Sequence, residues 1–303
     1  MIALGIDVGG TNLRVGAVNF NGELILSFRE STPQGASPEI LIETIFALYK
    51  KVQAQISEPV VGLGLGWPGA VNRHEGLVLQ TPNILGFKDF PLQKALEEKL
   101  KIPTRIENDA KCAGLAEKKF GAAQNFKDFI LLTFGTGIGG VIFTNSQLVQ
   151  GRSGIAGEMG HMCLYPGGLP CSCGSRGCFE QYASAKALER RAEQILGKSI
   201  SARDILTLAD TSEEARRCIQ EYNADLAIAI GSVINIFNPE AILFSGGLFT
   251  TGGAAILTAL KSELAKQGFQ TLKKNVHLLA SSLEGKAGII GAASLCFPLT
   301  SIQ

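Results

Sequence analysis

Two separate stretches of the chain open in the same way, with an apolar strand, a glycine-rich turn and a second strand. The first runs from Ile2 to Phe20 around the turn Asp7-Val8-Gly9-Gly10-Thr11. The second runs from Phe129 to Thr144 around Gly135-Thr136-Gly137. A pattern repeated on this scale indicates two related halves. Because strands and helices alternate through both halves, the sequence predicts an α/β protein with two lobes and a cleft between them.

Length and composition agree with this prediction and restrict the partners. The chain has 303 residues, and a single hydrophobic core rarely serves a chain of this length. Hydrophobic residues make up 46% and charged residues 18%, which is a globular composition. The net charge of +1 gives no electrostatic reason to expect nucleic acid or an anionic membrane as partner. Since the first ten residues do not resemble a signal peptide, we expect a cytoplasmic protein that binds small molecules.

Hydrophobic periodicity and turn residues predict the individual elements. Asn21-Gly22 predicts a two-residue hairpin turn between the second and third strands. The predicted strands cover residues 2–6, 13–20, 23–30, 60–66, 104–106, 129–134, 139–144, 148–149, 241–244 and 276–280. The predicted helices cover residues 38–56, 89–100, 110–120, 185–196, 202–209, 213–237, 254–266 and 288–297.

The two glycine turns are candidates for phosphate binding. Backbone N–H groups and a threonine hydroxyl can surround phosphate oxygens there, and Asp7 can hold Mg²⁺ through water. Either turn taken alone is better explained as an ordinary tight turn, whereas two such turns at the starts of two lobes favour phosphate binding. Gly64-x-Gly66-x-x-Gly69 and Gly135-x-Gly137-x-x-Gly140 also fit the dinucleotide pattern, but no helix directly follows either, so we do not expect a Rossmann site.

One acidic residue and one group of cysteines are further candidates. Asp109 lies where a predicted strand ends and a helix begins, which suits a cleft-facing carboxylate; the pair Asn108-Asp109 is equally well explained as a helix N-cap. Cys171, Cys173 and Cys178 follow His161 at spacings that supply the four ligands of a closed zinc site. On spacing alone, three buried free thiols explain the cysteines as well.

Several motifs together resemble the ROK family of repressors, uncharacterised reading frames and sugar kinases, within the actin-like ATPase superfamily. The resemblance covers nearly the whole chain. It is carried by IDVGGT at the start, ENDA at 107–110, FGTGIGGV at 134–141, the run 151–161 ending AGEMGH, CxCGxxGCxE at 171–180 and Ser245-Gly246-Gly247. The family's repressors carry a DNA-binding domain ahead of the first turn, and only six residues precede Asp7 here, so a kinase is expected.

The resemblance implies a ribonuclease-H-like fold, with residues 1–110 and 288–303 as the small lobe and 111–287 as the large lobe. It also implies a role for each candidate residue. Asp109 would be the catalytic base that accepts the proton of the sugar hydroxyl. The residues expected to bind the sugar are Gly69, Asn83, Asn108, Asp109, Glu158, His161 and Glu180. Those expected to bind Mg·ATP are Asp7, Gly9, Gly10, Thr11, Gly135, Thr136, Gly137, Gly246 and Gly247. The ligands expected for a structural Zn²⁺ are His161, Cys171, Cys173 and Cys178.

The resemblance is greatest to the glucokinase branch, through Cys-Phe-Glu-Gln-Tyr-Ala-Ser at 178–184. It implies an ATP-dependent kinase that phosphorylates the 6-hydroxyl of glucose, in a homodimer or homotetramer. The alternatives are an N-acetylglucosamine or N-acetylmannosamine kinase, a fructokinase, or a sugar-responsive regulator without catalysis. Two positions depart from the family, which often has asparagine at Lys111 and a smaller residue at Trp67; either would alter the edge of the sugar pocket.

Overall fold

A computed structural model describes residues 1–33, 35, 37–81, 84 and 86–298. It divides the chain into two compact units. The first consists of Met1–Gln124, Gln150–Ala156 and Gly285–Gln303, and the second of Asn125–Val149 and Gly157–Glu284. The first unit therefore takes in residues that the predicted small lobe left out. The predicted lobe ranges, as functional domains, stay a prediction.

Strands and helices alternate along the described residues. The strands are β1 (Ile2–Val8), β2 (Asn12–Asn19), β3 (Leu24–Ser31), β4 (Val60–Trp67), β5 (Ala70–Asn72), β6 (Leu77–Gln80), β7 (Lys88–Phe90), β8 (Thr104–Asn108), β9 (Phe129–Phe134), β10 (Ile138–Thr144), β11 (Gln147–Leu148), β12 (Ala241–Ser245) and β13 (His277–Ala280). The helices are α1 (Pro38–Gln53), α2 (Leu92–Leu100), α3 (Asp109–Phe120), α4 (Glu180–Ala183), α5 (Ala185–Leu196), α6 (Ala202–Leu208), α7 (Glu213–Phe237), α8 (Gly247–Leu264), α9 (Gln270–Lys273) and α10 (Ala287–Ser294). Short 3₁₀ helices cover Met159–His161 and Glu284–Lys286.

Each unit is built on a five-stranded sheet, and the two sheets have the same topology. The first has the order β3-β2-β1-β4-β8 and the second the order β11-β10-β9-β12-β13. In each sheet the central strand, β1 or β9, pairs antiparallel with the next strand along the chain, β2 or β10. It pairs parallel with a later strand, β4 or β12. The predicted repeat of strand, turn and strand is therefore present in both units. A three-stranded sheet of order β5-β6-β7 belongs to the first unit and was not predicted.

The last helix packs on the first sheet at unusually short range. A Cβ built on Gly64 of β4 would lie 1.7 Å from the carbonyl oxygen of Ala292 in α10, and one built on Gly5 of β1 would lie 1.9 Å from the carbonyl of Ile289. Only glycine leaves room for a helix backbone there. Packing of α10, and not a phosphate loop, therefore explains the glycine at the start of the Gly64-x-Gly66-x-x-Gly69 pattern.

Among the differences from the predicted bounds, two concern the start of a helix and one concerns a turn. Residues 88–90 form strand β7, so helix α2 begins at Leu92 and not at 89. Helix α8 begins at Gly247, seven residues before the prediction, because Gly252 supports a close contact with α6, in which an added Cβ would lie 2.3 Å from Leu206 Cδ1. Four residues, 20–23, separate β2 from β3 instead of the predicted two; Gly22 alone among them has positive φ (81°), and the Asn19 carbonyl accepts from the Gly22 amide.

Each unit has its own hydrophobic core. One gathers buried side chains of β1, β2, β4, α1 and α2, including Trp67. The other gathers side chains of β9, β12, α5, α7 and α8, with Phe134 stacked on Phe244. Among the helices of the described residues, none combines the length and the apolar character that crossing a membrane requires.

Candidate functional site

Three carboxylates gather at the carboxyl edge of the first sheet. Asp7 ends β1 opposite Gly66 of β4, and Glu107 of β8 lies opposite Gly66 from the other side. Asp109 follows directly as the first residue of α3. Burial raises the pKa of the Cys112 thiol well above its usual value, and the charges of all three carboxylates raise it further. The strand order thus brings together acids that are a hundred residues apart in the sequence.

The turn after Asp7 is tightly fixed. The Gly9 amide donates to the Asn12 carbonyl at 2.9 Å, and the Thr32 hydroxyl donates to the Gly9 carbonyl at 2.7 Å. Burial raises the pKa of the Asp7 carboxyl, while the Arg14 guanidinium lowers it. A Cβ on Gly288 would lie 2.7 Å from the Asp7 Cγ. Gly288, which the sequence did not single out, therefore leaves the space that the carboxyl group occupies.

The start of α3 presents Asn108 and Asp109 in a fixed arrangement. The Asn108 Oδ1 accepts from the Lys111 amide at 3.1 Å, and its Nδ2 donates to the Gly69 carbonyl at 3.1 Å. The N-cap reading of Asn108 is therefore correct. It does not exclude a second role, because an amide group has a further donor hydrogen and a further lone pair. The Asp109 Oδ1 accepts from the Ala110 amide at 2.8 Å, and the side chain is half-buried.

The two positions that depart from the family pattern are both buried. Trp67 has no exposed surface, lies 4.6 Å from Phe87 between ring centroids, and donates from Nε1 to the Thr81 hydroxyl at 2.7 Å. It therefore has no surface of its own to offer a ligand, and its effect on the edge of the sugar pocket stays a prediction. Lys111 is only 2% exposed and belongs to a polar network with Glu107.

The second unit has its own turn at the carboxyl edge of its sheet. The Gly135 amide donates to the Gly137 carbonyl at 3.0 Å, which closes the turn between β9 and β10. Gly246 follows the neighbouring parallel strand β12 with φ of 108°, and its Cβ would lie 2.0 Å from the Phe134 carbonyl oxygen. Gly247 begins α8 beside this turn. A glycine turn and a helix N-terminus at one sheet edge form a surface suited to phosphate.

Glu180 connects this turn to the cysteine group. Its Oε2 accepts from the Ile138 amide at 3.4 Å, and a Cβ on Gly137 would lie 2.4 Å from the same oxygen. The Sγ of Cys171 donates to its Oε1 at 3.1 Å, and His161 Nδ1 lies 3.9 Å from that oxygen. A side chain larger than glycine at 137 would therefore displace Glu180. Glu158 precedes the 3₁₀ helix Met159–His161 and is exposed.

The four predicted metal ligands lie together. Their ligand atoms are all within 4.8 Å of one another; the sulfur atoms of Cys173 and Cys178 are 3.7 Å apart, and Cys171 Sγ is 3.6 Å from His161 Nδ1. A tetrahedral zinc site with Zn–S bonds of about 2.3 Å has edges of about 3.8 Å. Burial, reinforced by the neighbouring thiols, raises the pKa of Cys178 to about 12. A bound zinc ion would favour the thiolate form of these cysteines, because a coordinating thiol is deprotonated.

The predicted site residues divide between the two units. Asp7, the 9–11 turn, Gly69, Asn108 and Asp109 belong to the first. The 135–137 and 246–247 turns, Glu158, His161, Glu180 and the cysteines belong to the second. Asn83 lies outside the described residues. Within each unit the structure groups the predicted residues at the carboxyl edge of a sheet or at the cysteine cluster.

Comparisons with known proteins agree on one family. The model of the ROK family matches residues 3–297. A glucokinase of Streptomyces coelicolor is 33% identical over 319 residues, which cover 97% of this chain and 97% of that protein. A xylose repressor of Bacillus spizizenii is 33% identical over 297 residues, which cover 97% of this chain and 76% of the repressor.

A solved structure extends the similarity to the fold. It is the ROK family glucokinase from Streptomyces griseus in complex with glucose and AMPPNP, with a TM-score of 0.85, 32% identity, and coverage of 97% of this chain and 99% of that one. The predicted two-lobed actin-like (ribonuclease-H-like) α/β fold is thereby confirmed.

Proposed function

Because this chain belongs to the ROK family, we propose that it is an ATP-dependent sugar kinase that makes glucose 6-phosphate. The observation that carries the proposal is the gathering of Asp7, Glu107 and Asp109 at one sheet edge, with Asp109 at the first position of a helix. Similarity over the full length to a glucokinase structure holding glucose and an ATP analogue supports the substrates. That glucose is the preferred sugar is also part of this proposal.

Asp109 acts as the base in this mechanism. The 6-oxygen of the sugar forms a bond to the γ-phosphorus of ATP while the bond from that phosphorus to the β–γ bridging oxygen breaks. Asp109 takes the proton of the hydroxyl, and ADP leaves with the bridging oxygen. Such a transfer depends on alignment and on charge stabilisation more than on covalent chemistry by the protein. The fixed N-terminus of α3 supplies the alignment of the base.

The proposed sugar ligands are amide, carboxylate and imidazole side chains. Asn108 has a donor hydrogen beyond the one it gives to the Gly69 carbonyl, and it lies beside the base. Glu158, His161 and Glu180 supply carboxylates and a ring nitrogen for the other hydroxyls. Since His161 turns Nδ1 toward Cys171, its Nε2 is the nitrogen for the sugar. Gly69 and Asn83 complete the predicted set.

The nucleotide is bound by the two glycine turns. The turn of Gly9, Gly10 and Thr11 in the first unit and the turn 135–137 in the second are the proposed phosphate loops; the Gly9 and Gly135 amides donate to the Asn12 and Gly137 carbonyls, which fixes the shape of each turn. Gly246 and Gly247 form the adenosine-side loop at the start of α8. Asp7 would hold Mg²⁺, which when bound neutralises charge on the β- and γ-phosphates. Burial of Asp7 among other acids makes a bound cation the natural partner of this carboxylate.

His161, Cys171, Cys173 and Cys178 would hold a structural Zn²⁺. Four protein ligands leave no open position for substrate, so the metal would shape the loop and not react. His161 would thereby be held in one orientation beside Glu180, and both are proposed sugar ligands.

Two measurements test the function. A coupled assay of ADP release over glucose, fructose, mannose, N-acetylglucosamine and N-acetylmannosamine is expected to give the highest kcat/KM with glucose. A higher value for another of these sugars would move the protein to that kinase, and no turnover of any would refute the kinase. Asp109→Asn is expected to lower kcat at least about a hundredfold while glucose binding, measured by calorimetry, stays within a few fold. Unchanged kcat would place the base elsewhere.

A sugar-responsive regulator is the second candidate, since a xylose repressor is as similar in sequence as the glucokinase. The two readings differ in turnover. A regulator would bind sugar with calorimetric heat and release no ADP above the rate of Asp109→Asn. Turnover abolished by Asp109→Asn would exclude a purely regulatory role.

A further inference from the structure

Helix α3 carries a lysine buried next to the proposed base. Lys111 is 2% exposed and lies two residues after Asp109. Its ammonium donates to the carbonyl of Gly154 and to Oε1 of Gln150, the latter at 3.4 Å. A buried ammonium is costly unless it is paired and hydrogen-bonded. These partners therefore account for a lysine at this position.

Gln150 continues the network to a buried carboxylate. Its Nε2 donates to Glu107 Oε2 at 3.2 Å, and Glu107 has no exposed surface. The Arg73 guanidinium lies 3.4 Å from Glu107 Oε2, and the backbone N–H of Asn108 donates to Glu107 Oε1 at 2.9 Å. A lysine offers only donors and a carboxylate only acceptors, so a glutamine between them has one amide orientation that satisfies both.

This network fastens a short segment to the start of α3. Residues 150–156 belong to the first unit, whereas the residues before and after them belong to the second. The Gly154 carbonyl accepts a hydrogen bond from the Lys111 ammonium, and Gly154 lies four residues before Glu158. The same network contacts Asn108, the cap of α3, through its amide. One set of buried contacts thus links the residue next to the proposed base with the segment that leads to the proposed sugar ligands.

We propose that Lys111 and Gln150 are positioning residues for sugar binding, which hold residues 150–156 against the first turn of α3. Neither touches the reacting atoms. Their effect is to fix Asn108 and the segment leading to Glu158 in the arrangement that binds the sugar. The kinetic part of this proposal rests on the proposed kinase function, while the tether itself does not.

The helix offers a matched control. Lys118 is also buried, at 7% exposed, and also donates to a backbone carbonyl, that of Gln124 at 3.1 Å. It lies two turns further along α3 and outside the network. Lys111→Met and Lys118→Met therefore remove the same charge from the same helix. A loss of folding stability common to both is a structural effect, and only a difference between them reports on the tether.

The first measurement is kinetic. Lys111→Met is expected to raise the KM for glucose about tenfold or more, with the KM for ATP within about twofold of wild type, because the displaced segment leads to sugar ligands. Gln150→Ala should move the glucose KM in the same direction. Lys118→Met should leave both KM values unchanged. A glucose KM unaffected by Lys111→Met and Gln150→Ala would overturn the positioning role.

The second measurement does not require activity. Arg152 is exposed within the tethered segment, so trypsin cleavage after it reports how firmly the segment is held. Lys111→Met and Gln150→Ala are expected to speed this cleavage at least about fivefold over wild type and Lys118→Met. Equal rates would overturn the tether. Faster cleavage in a protein that phosphorylates no sugar would support the tether and refute the proposed kinase.

Discussion

The substitution Gly64→Ala tests whether α10 packs on the first sheet as closely as the structure shows. The added Cβ would lie 1.7 Å from the Ala292 carbonyl oxygen, and 3.4 Å is the lower end of ordinary contact. The oxygen belongs to the helix backbone, so no side-chain rotation relieves the clash. Either α10 or β4 must move by about 1.7 Å.

The expected loss of stability follows from what α10 buries. The helix covers β1 and β4 with Ile289, Ile290 and Ala293, each at most 3% exposed. Inserting one methyl group into a packed core costs typically about 1–3 kcal/mol, and a clash against backbone belongs at the upper end. For a domain of this size, about 3 kcal/mol lowers Tm by about 6–12 °C.

Differential scanning calorimetry or the loss of ellipticity on heating measures this change. Gly253→Ala is the control, because Gly253 lies inside helix α8 and its Cβ would meet only ordinary contacts, at 3.5 Å from Phe249. Replacing that helical glycine should leave Tm unchanged or raise it, by up to about 1 kcal/mol of stability. A Gly64→Ala protein as stable as wild type would refute the close packing of α10.

Three further predictions concern the site. Asp7→Asn should raise the free energy of unfolding at neutral pH, because burial raises the folded-state pKa of Asp7. The stability of the wild type falls as pH rises through that pKa, since the buried carboxyl group must then lose its proton. In acid, where Asp7 is protonated, the gain of the variant over wild type should vanish. Gly288→Ala pushes on the Asp7 carboxyl and should lower kcat about tenfold or more with little change in Tm, since only a side-chain end must move; unchanged kcat would count against Asp7. Metal analysis should find about one zinc per chain, lost in Cys178→Ser but kept in Cys218→Ser, a buried cysteine outside the cluster.

Periodicity predicted some long elements to the residue, though not α8. Helices α5 and α7 and strand β9 have the predicted bounds, because their hydrophobic spacing continues from end to end and Asn238-Pro239 stops α7. The short strands β5, β6 and β7 have three or four residues each, too few to show a period. Helical spacing places Ile40 on the same face of α1 as the buried Leu41, Ile45, Leu48 and Val52, yet Ile40 is 53% exposed, so spacing alone overestimates the buried face.

The candidate site was predictable where one motif holds the whole feature. The metal ligands lie within 18 residues of sequence, and resemblance to the family's CxCGxxGCxE motif was enough to group them. The network around Lys111 was not predictable, since its partner Gln150 lies 39 residues away and carries no motif. Gly288 was missed for the same reason: its contact with Asp7 exists only because α10 returns to the first sheet.

The position of α10 also sets an order for synthesis. The first unit needs this helix to cover β1 and β4, yet the ribosome makes it only after the whole of the second unit. At about 5–20 residues per second, the sheet of the first unit waits roughly ten seconds or more with that face uncovered. During this time the stretch 125–284 can complete its own core. The unit that begins first along the chain is therefore the one that finishes folding last.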